Sequence, residues 1–283
     1  MPTEHDLAAA RRAFAEELRA TSPVLKNESV VDAFATVPRE RFLGPGPWTI
    51  LPGARWGESY ETPDTDPRRV YHDVLVPLDA ARDINNGQPS LWAYMFDRLA
   101  IRPGERVYQV GAGTGYYTAL FAELVGANGH VTAVEYDAGL AAQAAANTAS
   151  WSQIDLIHGD GATFDPGEVD LVVAFAGVTH PLPLWLDRLA VGGRLMVGLT
   201  GPSMWGFMLM ATRLDDGFRA EALGPAGFIP FVGRDEEAGE RLARALKRLK
   251  GKPVPIKSLH RGAPPEGNER KVWYWGPGFW LSR

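Results

Sequence analysis

The chain has 283 residues, 45% of them apolar, which is enough to bury the core of one large α/β domain with an appendage. Its net charge of −5 argues against a nucleic-acid-binding protein, which normally carries a basic stripe. The chain contains no cysteine. This excludes disulfides, thiolate nucleophiles and cysteine metal sites, and it is typical of a reducing cytoplasm.

Targeting and metal-binding patterns are also missing from the sequence. The N-terminus mixes acids and arginines with alanines and has no apolar h-region, so no signal peptide is expected. No run approaches the roughly 18 apolar residues of a membrane span. The six histidines are scattered without ligand-type spacing, so no metal site is expected. We therefore predict a cytoplasmic protein without a membrane or nucleic-acid partner, and its oligomeric state stays open.

The first part of the chain predicts two helices and an ordered loop. Thr3 is placed to cap the first helix, and the second is expected over 27–36. Residues 43–70 are rich in Gly, Pro and Trp and are expected to form a loop held by its aromatic side chains. These aromatic residues fit either a packed core or a surface for a peptide: Trp48, Trp56 and Tyr60.

From residue 89 onward the pattern alternates between strand and helix. Pro89 suits the first position of a helix that ends near residue 100. The expected strands are 105–110, 130–135, 154–158, 170–176 and 193–199. The expected helices between them are 115–126, 137–149 and 182–190. Continuous apolar runs such as LVVAFA indicate strands covered on both faces, as in a parallel, doubly wound α/β sheet.

The end of the chain departs from this alternation. Residues 204–212 and 226–232 are expected to form an antiparallel C-terminal strand pair, followed by a charged helix over 234–250. The basic residues of that helix are read as a solvated face. The aromatic tail predicts a hairpin that turns at Gly276-Pro277-Gly278 and either packs on the domain or binds a partner. The expected organisation is a helical lead (1–84), a core (85–233) and an extension (234–283).

A glycine loop follows the first strand of the core, in the stretch VYQVGAGTGYYTALF (107–121). Such loops let a nucleotide approach the backbone. A P-loop is excluded because no Gly-Lys-Ser/Thr follows. The dinucleotide fingerprint needs G-x-G-x-x-G, whereas Gly111, Gly113 and Gly115 have the spacing G-x-G-x-G, and Tyr116 takes the place of the third glycine. The ligand is therefore expected to lack a pyrophosphate.

Two acidic residues end the next two strands. Glu135 lies 24 positions after Gly111, where a carboxylate can accept hydrogen bonds from a ribose diol. Asp160 lies at the end of the third strand, where its carboxylate can accept a hydrogen bond from the amino group of an adenine. A glycine loop, a ribose acid and an adenine acid in consecutive units favour S-adenosylmethionine. The alternatives are that the glycines and Asp160 are ordinary turn residues and that Glu135 caps the following helix.

These motifs resemble the class I methyltransferases that use S-adenosylmethionine, and more narrowly the protein-L-isoaspartate O-methyltransferase family. The resemblance rests on VYQVGAGTGYYTALFAELVG, VEYD and HGDG, and on VPRERF, Gln88-Pro89, LAVGGRLMVGL and GFIPFVG. It covers about residues 30–233. It implies a Rossmann-like methyltransferase fold and transfer of a methyl group to the carboxylate of an isoaspartyl residue in a protein or peptide, which begins protein repair.

The resemblance also extends the expected site. The expected cofactor-binding residues are Gln109, Gly111, Gly113, Thr114, Gly115, Tyr116, Glu135, Tyr136, Asp160, Gly161 and Ala162. The residues expected beside the leaving methyl group are Asn85, Asn86, Gln88 and Ser90.

The chain departs from the family in two places. Asn85-Asn86-Gly87 replaces the family's Thr-Ile/Val-Ser, and Gln109 replaces an acid. The alternative functions are methylation of another carboxylate, such as an aspartate in a biosynthetic peptide, or a non-catalytic module that binds the cofactor or a partner.

Overall fold

The computed structural model describes residues 2–21, 25–51, 58–267 and 270–283. Its N-terminal part begins with the two predicted helices, and a third starts at Pro89 as expected. The helices of this part are α1 (Glu4–Thr21), α2 (Glu28–Thr36) and α3 (Pro89–Leu99). The short strands between them are β1 (Thr49–Ile50), β2 (Tyr60–Glu61), β3 (Pro77–Asp79) and β4 (Ile84–Asn85). Turns of 3-10 helix occupy Arg39–Phe42, Pro67–Val70 and Ala80–Arg82.

The strand–helix alternation that the sequence predicts is confirmed, with shifts of a few residues at its ends. The strands of this part are β5 (Arg106–Val110), β6 (His130–Glu135), β7 (Ile154–His158), β8 (Val169–Val178) and β9 (Leu189–Thr200). The helices are α4 (Tyr116–Val125), α5 (Ala138–Thr148) and α6 (Pro183–Arg188). Helix α6 is shorter than predicted because Leu189 already belongs to β9.

The C-terminal part adds β10 (Trp205–Leu214), β11 (Gly217–Gly227), α7 (Glu236–Leu249), β12 (Ser258–Arg261), β13 (Val272–Gly276) and β14 (Phe279–Ser282). Among the described residues, one sheet of ten strands has the order β13-β14-β12-β11-β10-β9-β8-β5-β6-β7. Strand β8 pairs in parallel with both β5 and β9, whereas β9 and β10 are antiparallel. The predicted α/β fold with an antiparallel C-terminal end is therefore confirmed.

The predicted partner of β10 is mostly wrong. Strand β10 pairs with 217–227 through a tight hairpin at Asp215-Asp216, and of the predicted partner 226–232 only Ala226 and Gly227 pair with it. The sequence of β11 hides this strand because small and polar residues predominate in it and few of its side chains are fully buried. The predicted second strand instead forms an isolated parallel bridge, in which Pro230 is opposite Gly177.

The aromatic tail forms the predicted hairpin, and it joins the sheet through β12, which was not predicted. Strands β13 and β14 are antiparallel, and β12 pairs with β14. A register shift between Val272 and Tyr274 breaks the expected alternation. As a result, the neighbouring side chains of Trp273 and Tyr274 are both buried.

The chain divides into two compact units. The first comprises residues 1–105, 112–131 and 135–158, and the second comprises 106–111, 132–134 and 159–283. An aromatic cluster that includes Phe14, Phe34 and Phe96 fills the core of the first unit. In the second unit, the core contains buried aliphatic side chains of β8 and β9. Within the described residues, no helix is both long and apolar enough to cross a membrane.

The early loop belongs to the first unit. Trp48 is buried in an apolar cluster with Leu43, Ile50 and Val70, which matches the packed-core reading, while Tyr60 is exposed. Trp56 lies outside the described residues.

Candidate cofactor and acceptor site

The glycine loop joins β5 to α4 in a conformation that favours glycine. Gly111, Gly113 and Gly115 have φ angles of +84°, +58° and +94°. A Cβ atom at Gly115 would lie 2.9 Å from Cγ2 of Thr148, because the loop packs closely against α5. The glycines therefore serve both the turn and the packing of the loop.

Glu135 is held against this loop within the first unit. Its Oε2 accepts a hydrogen bond of 2.7 Å from the N–H of Gly113, and its Oε1 accepts one of 3.0 Å from the N–H of Asp137. The residue is 8% exposed, and no cationic side chain pairs with it among the described residues. A carboxylate has about four lone-pair directions, so two remain for further donors such as a ribose diol.

The helix after Glu135 is capped by another residue. The Oδ1 of Asp137 accepts the N–H of Leu140, so Asp137 is the N-cap of α5. The carboxylate of Glu135 is thereby left facing the glycine loop. The alternative of Glu135 as an ordinary helix cap does not match this arrangement.

The β3–β4 hairpin borders the same loop, which sequence reasoning missed. A Cβ atom at Gly113 would lie 3.5 Å from Cδ1 of Leu78. Arg82, in the turn of the hairpin, forms an ion pair of 2.7 Å with Asp137. No motif marked this hairpin in the sequence, because its contacts depend on residues far away in the chain.

Gln109 and Gly111 lie in the second unit. The side chain of Gln109 is fully buried and its Nε2 donates to the carbonyl of Gly111 at 3.3 Å. Its Oε1 is buried and has no hydrogen-bond partner among the described residues. A buried acceptor without a donor is costly, so this oxygen is suited to a ligand that brings an N–H group.

Asp160, Gly161 and Ala162 also lie in the second unit, in the turn after β7. Oδ1 of Asp160 accepts the N–H of Ala162 at 2.8 Å, and the side chain is exposed. The carbonyl of Gly161 accepts hydrogen bonds from Tyr108 and from Trp185. These bonds fix the backbone of the turn on which the predicted adenine contacts depend.

The remaining predicted cofactor residues have different environments. Thr114 is buried, and its hydroxyl donates to the carbonyl of Phe42 at 2.6 Å. Tyr116 is buried against Phe34 and Phe42, so its ring packs in the core of the first unit. Tyr136 is 59% exposed.

The predicted acceptor segment begins with two asparagines that hold its backbone. Asn86 is buried and pairs with Val76, whose N–H donates to Oδ1 of Asn86 at 2.7 Å. The Nδ2 of Asn86 has no partner among the described residues. Oδ1 of Asn85 accepts the N–H of Gly87, which leaves the amide nitrogen of Asn85 available as a donor.

Asp73 holds the other end of this segment, at the start of α3. Its carboxylate accepts the N–H of Ser90 at 2.8 Å and Nε2 of Gln88 at 3.1 Å. Gln88 is at the N-cap position of α3, but its side chain forms no capping hydrogen bond with the helix. Asp73 therefore replaces the missing cap from a distant part of the chain.

Arg39, from the VPRERF motif, organises the segment that carries Asp73. It is fully buried and donates to the backbone carbonyls of Val70, His72 and Val74. Burial lowers the pKa of its guanidinium from the ordinary value. The three carbonyls replace water around the charge, so this motif residue has a structural role.

Gly87 occupies the position of the family serine, and the structure requires a glycine there. Its φ is +73°, and a Cβ atom would lie 3.0 Å from Nε1 of Trp92 and 3.2 Å from the ring of Tyr117. The hydroxyl of Tyr117 donates to the carbonyl of Gly87. The two aromatic rings thus fill the space that a serine side chain would need.

The family model "Protein-L-isoaspartate(D-aspartate) O-methyltransferase (PCMT)" matches residues 59–236. The chain belongs to this family. The matched range includes the glycine loop and the acceptor segment, and it ends at the first residue of α7.

Individual relatives of the chain carry the name of the same family. The chain is 31% identical over 226 residues to protein-L-isoaspartate O-methyltransferase 2 from Anaeromyxobacter, with 78% of this chain and 82% of the relative covered. It is 32% identical over 216 residues to a protein-L-isoaspartate O-methyltransferase from Methylorubrum extorquens, with 74% and 82% covered.

Solved structures of the family have the same fold. A protein-L-isoaspartate O-methyltransferase superposes with a TM-score of 0.66 at 24% identity and covers 89% of this chain and 73% of its own. A beta-aspartate methyltransferase from Plasmodium falciparum, solved in complex with S-adenosyl-L-homocysteine, has a TM-score of 0.61 at 18% identity and covers 78% of this chain and 97% of its own.

Proposed function

We propose that the chain is an S-adenosylmethionine-dependent O-methyltransferase whose acceptor is the carboxylate of an isoaspartyl residue in a protein or peptide. One observation carries this proposal. A buried carboxylate, that of Glu135, is bonded to the glycine loop and keeps lone pairs for a ribose, in a chain that belongs to this family. The names of the relatives support the choice of acceptor.

The residues that the chain offers fit this cofactor. In the first unit, Glu135 would accept the ribose hydroxyls, and the backbone of Gly113 would border them. In the second unit, the unpartnered Oε1 of Gln109 would accept a hydrogen bond from the ammonium group of the methionine end. Asp160 would accept a hydrogen bond from the amino group of the adenine. When bound, the cofactor supplies an electrophilic methyl group.

The chemistry asks little of the acceptor residues beyond alignment. An isoaspartyl carboxylate has a pKa near 4, so it is already ionised at neutral pH and needs no general base. In-line alignment of the reacting atoms then accounts for most of the rate. We assign this positioning to the donors that have no partner among the described residues, which are the Nδ2 atoms of Asn85 and Asn86 and the hydroxyl of Ser90. Gln88 is held by Asp73.

The cofactor assignment is tested by calorimetry with S-adenosylmethionine. Glu135→Ala is expected to weaken binding by about 1–3 kcal/mol, because the ribose hydroxyls lose a charged acceptor. This corresponds to about a 5- to 150-fold rise in Kd. Glu240→Gln, an exposed acid on α7, is the matched control and is expected to bind normally. Unchanged affinity in a folded Glu135→Ala protein would contradict the assignment.

Three further predictions accompany this function. A cytoplasmic location is expected, because a cysteine-free sequence is typical of a reducing compartment. Membrane and nucleic-acid partners are not expected. The division into a lead (1–84), a core (85–233) and an extension (234–283) also remains a prediction.

A further inference from the structure

The C-terminal extension concentrates positive charge in an otherwise acidic chain. Residues 241–265 contain eight Lys and Arg and no Asp or Glu, whereas the whole chain has 29 bases and 34 acids. All eight follow residue 236, where the match to the family model ends. The charge therefore belongs to the part of this chain that the family's shared core does not include.

Most of these bases have no ion-pair partner. Arg241 pairs with Glu237, and Arg261 pairs with Asp187. The others are exposed and form no ion pair among the described residues: Arg244, Lys247, Arg248, Lys250, Lys252 and Lys257. Cations in the last turn of a helix stabilise its C-terminus, which explains Lys247 and Arg248. It does not explain Arg244, which is more than a turn from the end, or Lys252 and Lys257, which follow the helix.

A cleft lies beside the same helix, within the second unit. It has a volume of about 360 Å³, and its lining includes Arg241, Pro264, Trp275 and Pro277. The indole of Trp275 is 44% exposed, and the guanidinium of Arg241 lies 4.0 Å from the centre of its ring. Oε1 of Glu237 accepts a hydrogen bond of 2.6 Å from Nη1 of Arg241. The side chains of Trp275 and Arg241 are therefore held in place before a ligand binds. Tryptophan and arginine are enriched among the residues that contribute most to binding free energy at protein interfaces.

We propose that these bases of the extension, together with the cleft, form a docking surface for an acidic segment of the polypeptide substrate. The inference rests on the proposed function for the nature of the substrate. Charge complementarity selects an acidic ligand. The cleft, with its exposed tryptophan and two prolines, fits a peptide, whereas a nucleic acid normally binds along an extended basic stripe. A substrate bound at this surface would present its acceptor carboxylate to the methyl-transfer site at a higher effective concentration, without a new contact to the reacting atoms.

The test measures binding by fluorescence anisotropy, so it does not require methyl transfer. The probes are a labelled peptide with a run of glutamates and the same peptide with serines. The full-length protein is expected to bind the glutamate peptide selectively, and binding is expected to weaken as salt is raised. Arg244→Glu/Arg248→Glu is expected to weaken binding about tenfold. Lys26→Glu/Arg102→Glu changes the net charge equally, at exposed bases outside the extension, and is expected to change Kd by less than about twofold.

Three results would overturn the proposal. They are equal binding of the two peptides, equal losses in the two double variants, and tighter binding of a single-stranded oligonucleotide than of the glutamate peptide. Trp275→Ala gives an independent measurement, with weaker binding expected at low and at high salt. In kinetics, a glutamate run added to an isoaspartyl peptide is expected to lower KM and leave kcat unchanged. Methyl transfer by the unaltered protein to the serine peptide carrying an isoaspartyl residue reports on the proposed function separately.

Discussion

At the scale of single residues, the acceptor segment is built around a glycine where the family has a serine. Gly87 has a positive φ, and the rings of Trp92 and Tyr117 occupy the space of a side chain. The sequence revealed the substitution but not its cause, because both rings come from later helices. The loss of the family hydroxyl is therefore coupled to packing, and its simple restoration is not expected to work.

We predict that Gly87→Ser destabilises the protein and does not raise methyl transfer. The positive φ alone costs roughly 1–2 kcal/mol, and overpacking against the rings adds about 1–3 kcal/mol. Gly104→Ser is the matched control, since its φ is +86° and nothing lies within 4 Å of its Cβ position. Urea unfolding measures both losses. Equal losses in the two variants would show that the rings yield to the new side chain.

Asp165 gives a pH-dependent prediction. Arg188, followed by the N–H of Gly167, lowers the pKa of the Asp165 carboxyl from 3.8 to about 2. Because the folded-state pKa is lowered, the stabilisation is complete above 3.8 and is lost as the pH falls through about 2. Arg188→Gln is expected to raise this pKa toward 3.8, as measured by NMR titration of the carboxyl carbon.

The control for this titration is Arg102→Gln, at an exposed arginine outside the pair. It is expected to leave the pKa of Asp165 at about 2. A pKa of Asp165 that is the same in the Arg188→Gln variant as in the unaltered protein would contradict the stated cause.

At the scale of elements, α3 depends on a cap that is distant in sequence. Asp73 binds the first turn of α3 and also the side chain of Gln88, so one carboxylate fixes the end of the acceptor segment. Pro89 was enough to predict where the helix begins, because proline suits that position. The cap was not predictable, since nothing local links residue 73 to residue 90.

Asp73→Ala is expected to lower the free energy of unfolding by about 0.5–2 kcal/mol, as the loss of a helix cap does. It is also expected to reduce kcat/KM by about tenfold or more, because the acceptor segment loses its anchor. Asp73→Asn provides the control, since asparagine caps helices about as well as aspartate. If Asp73→Asn lost as much stability as Asp73→Ala, the negative charge, and not the cap, would be the important feature.

Strand β11 shows that the hydrophobic pattern of a single segment does not always reveal a strand or its partner. Its half-exposed residues lack a clear period, so the sequence favoured the more apolar 226–232 as the partner of β10. The core strands were easier to predict, because β8 and β9 are apolar on both faces. Burial on two faces therefore leaves a stronger sequence signal than burial on one.

At the scale of the whole molecule, the sequence predicted the α/β fold, the family and the glycine loop with Glu135 beside it. These features depend on local motifs and on spacing, which a single sequence contains. The contacts of Arg39, Asp73 and the β3–β4 hairpin were not predicted because they join distant segments. Strand β12 and its pairing with β11 and β14 were missed for the same reason.

The most direct test of the central claim is methyl transfer to two peptides that differ only in one residue. The purified protein is incubated with methyl-labelled S-adenosylmethionine and peptides that carry either aspartate or isoaspartate at the same position. We predict label on the isoaspartyl peptide alone, released by mild base as expected of a methyl ester. Label on the aspartyl peptide alone, or on neither peptide while cofactor binding is measured in the same sample, would contradict the account.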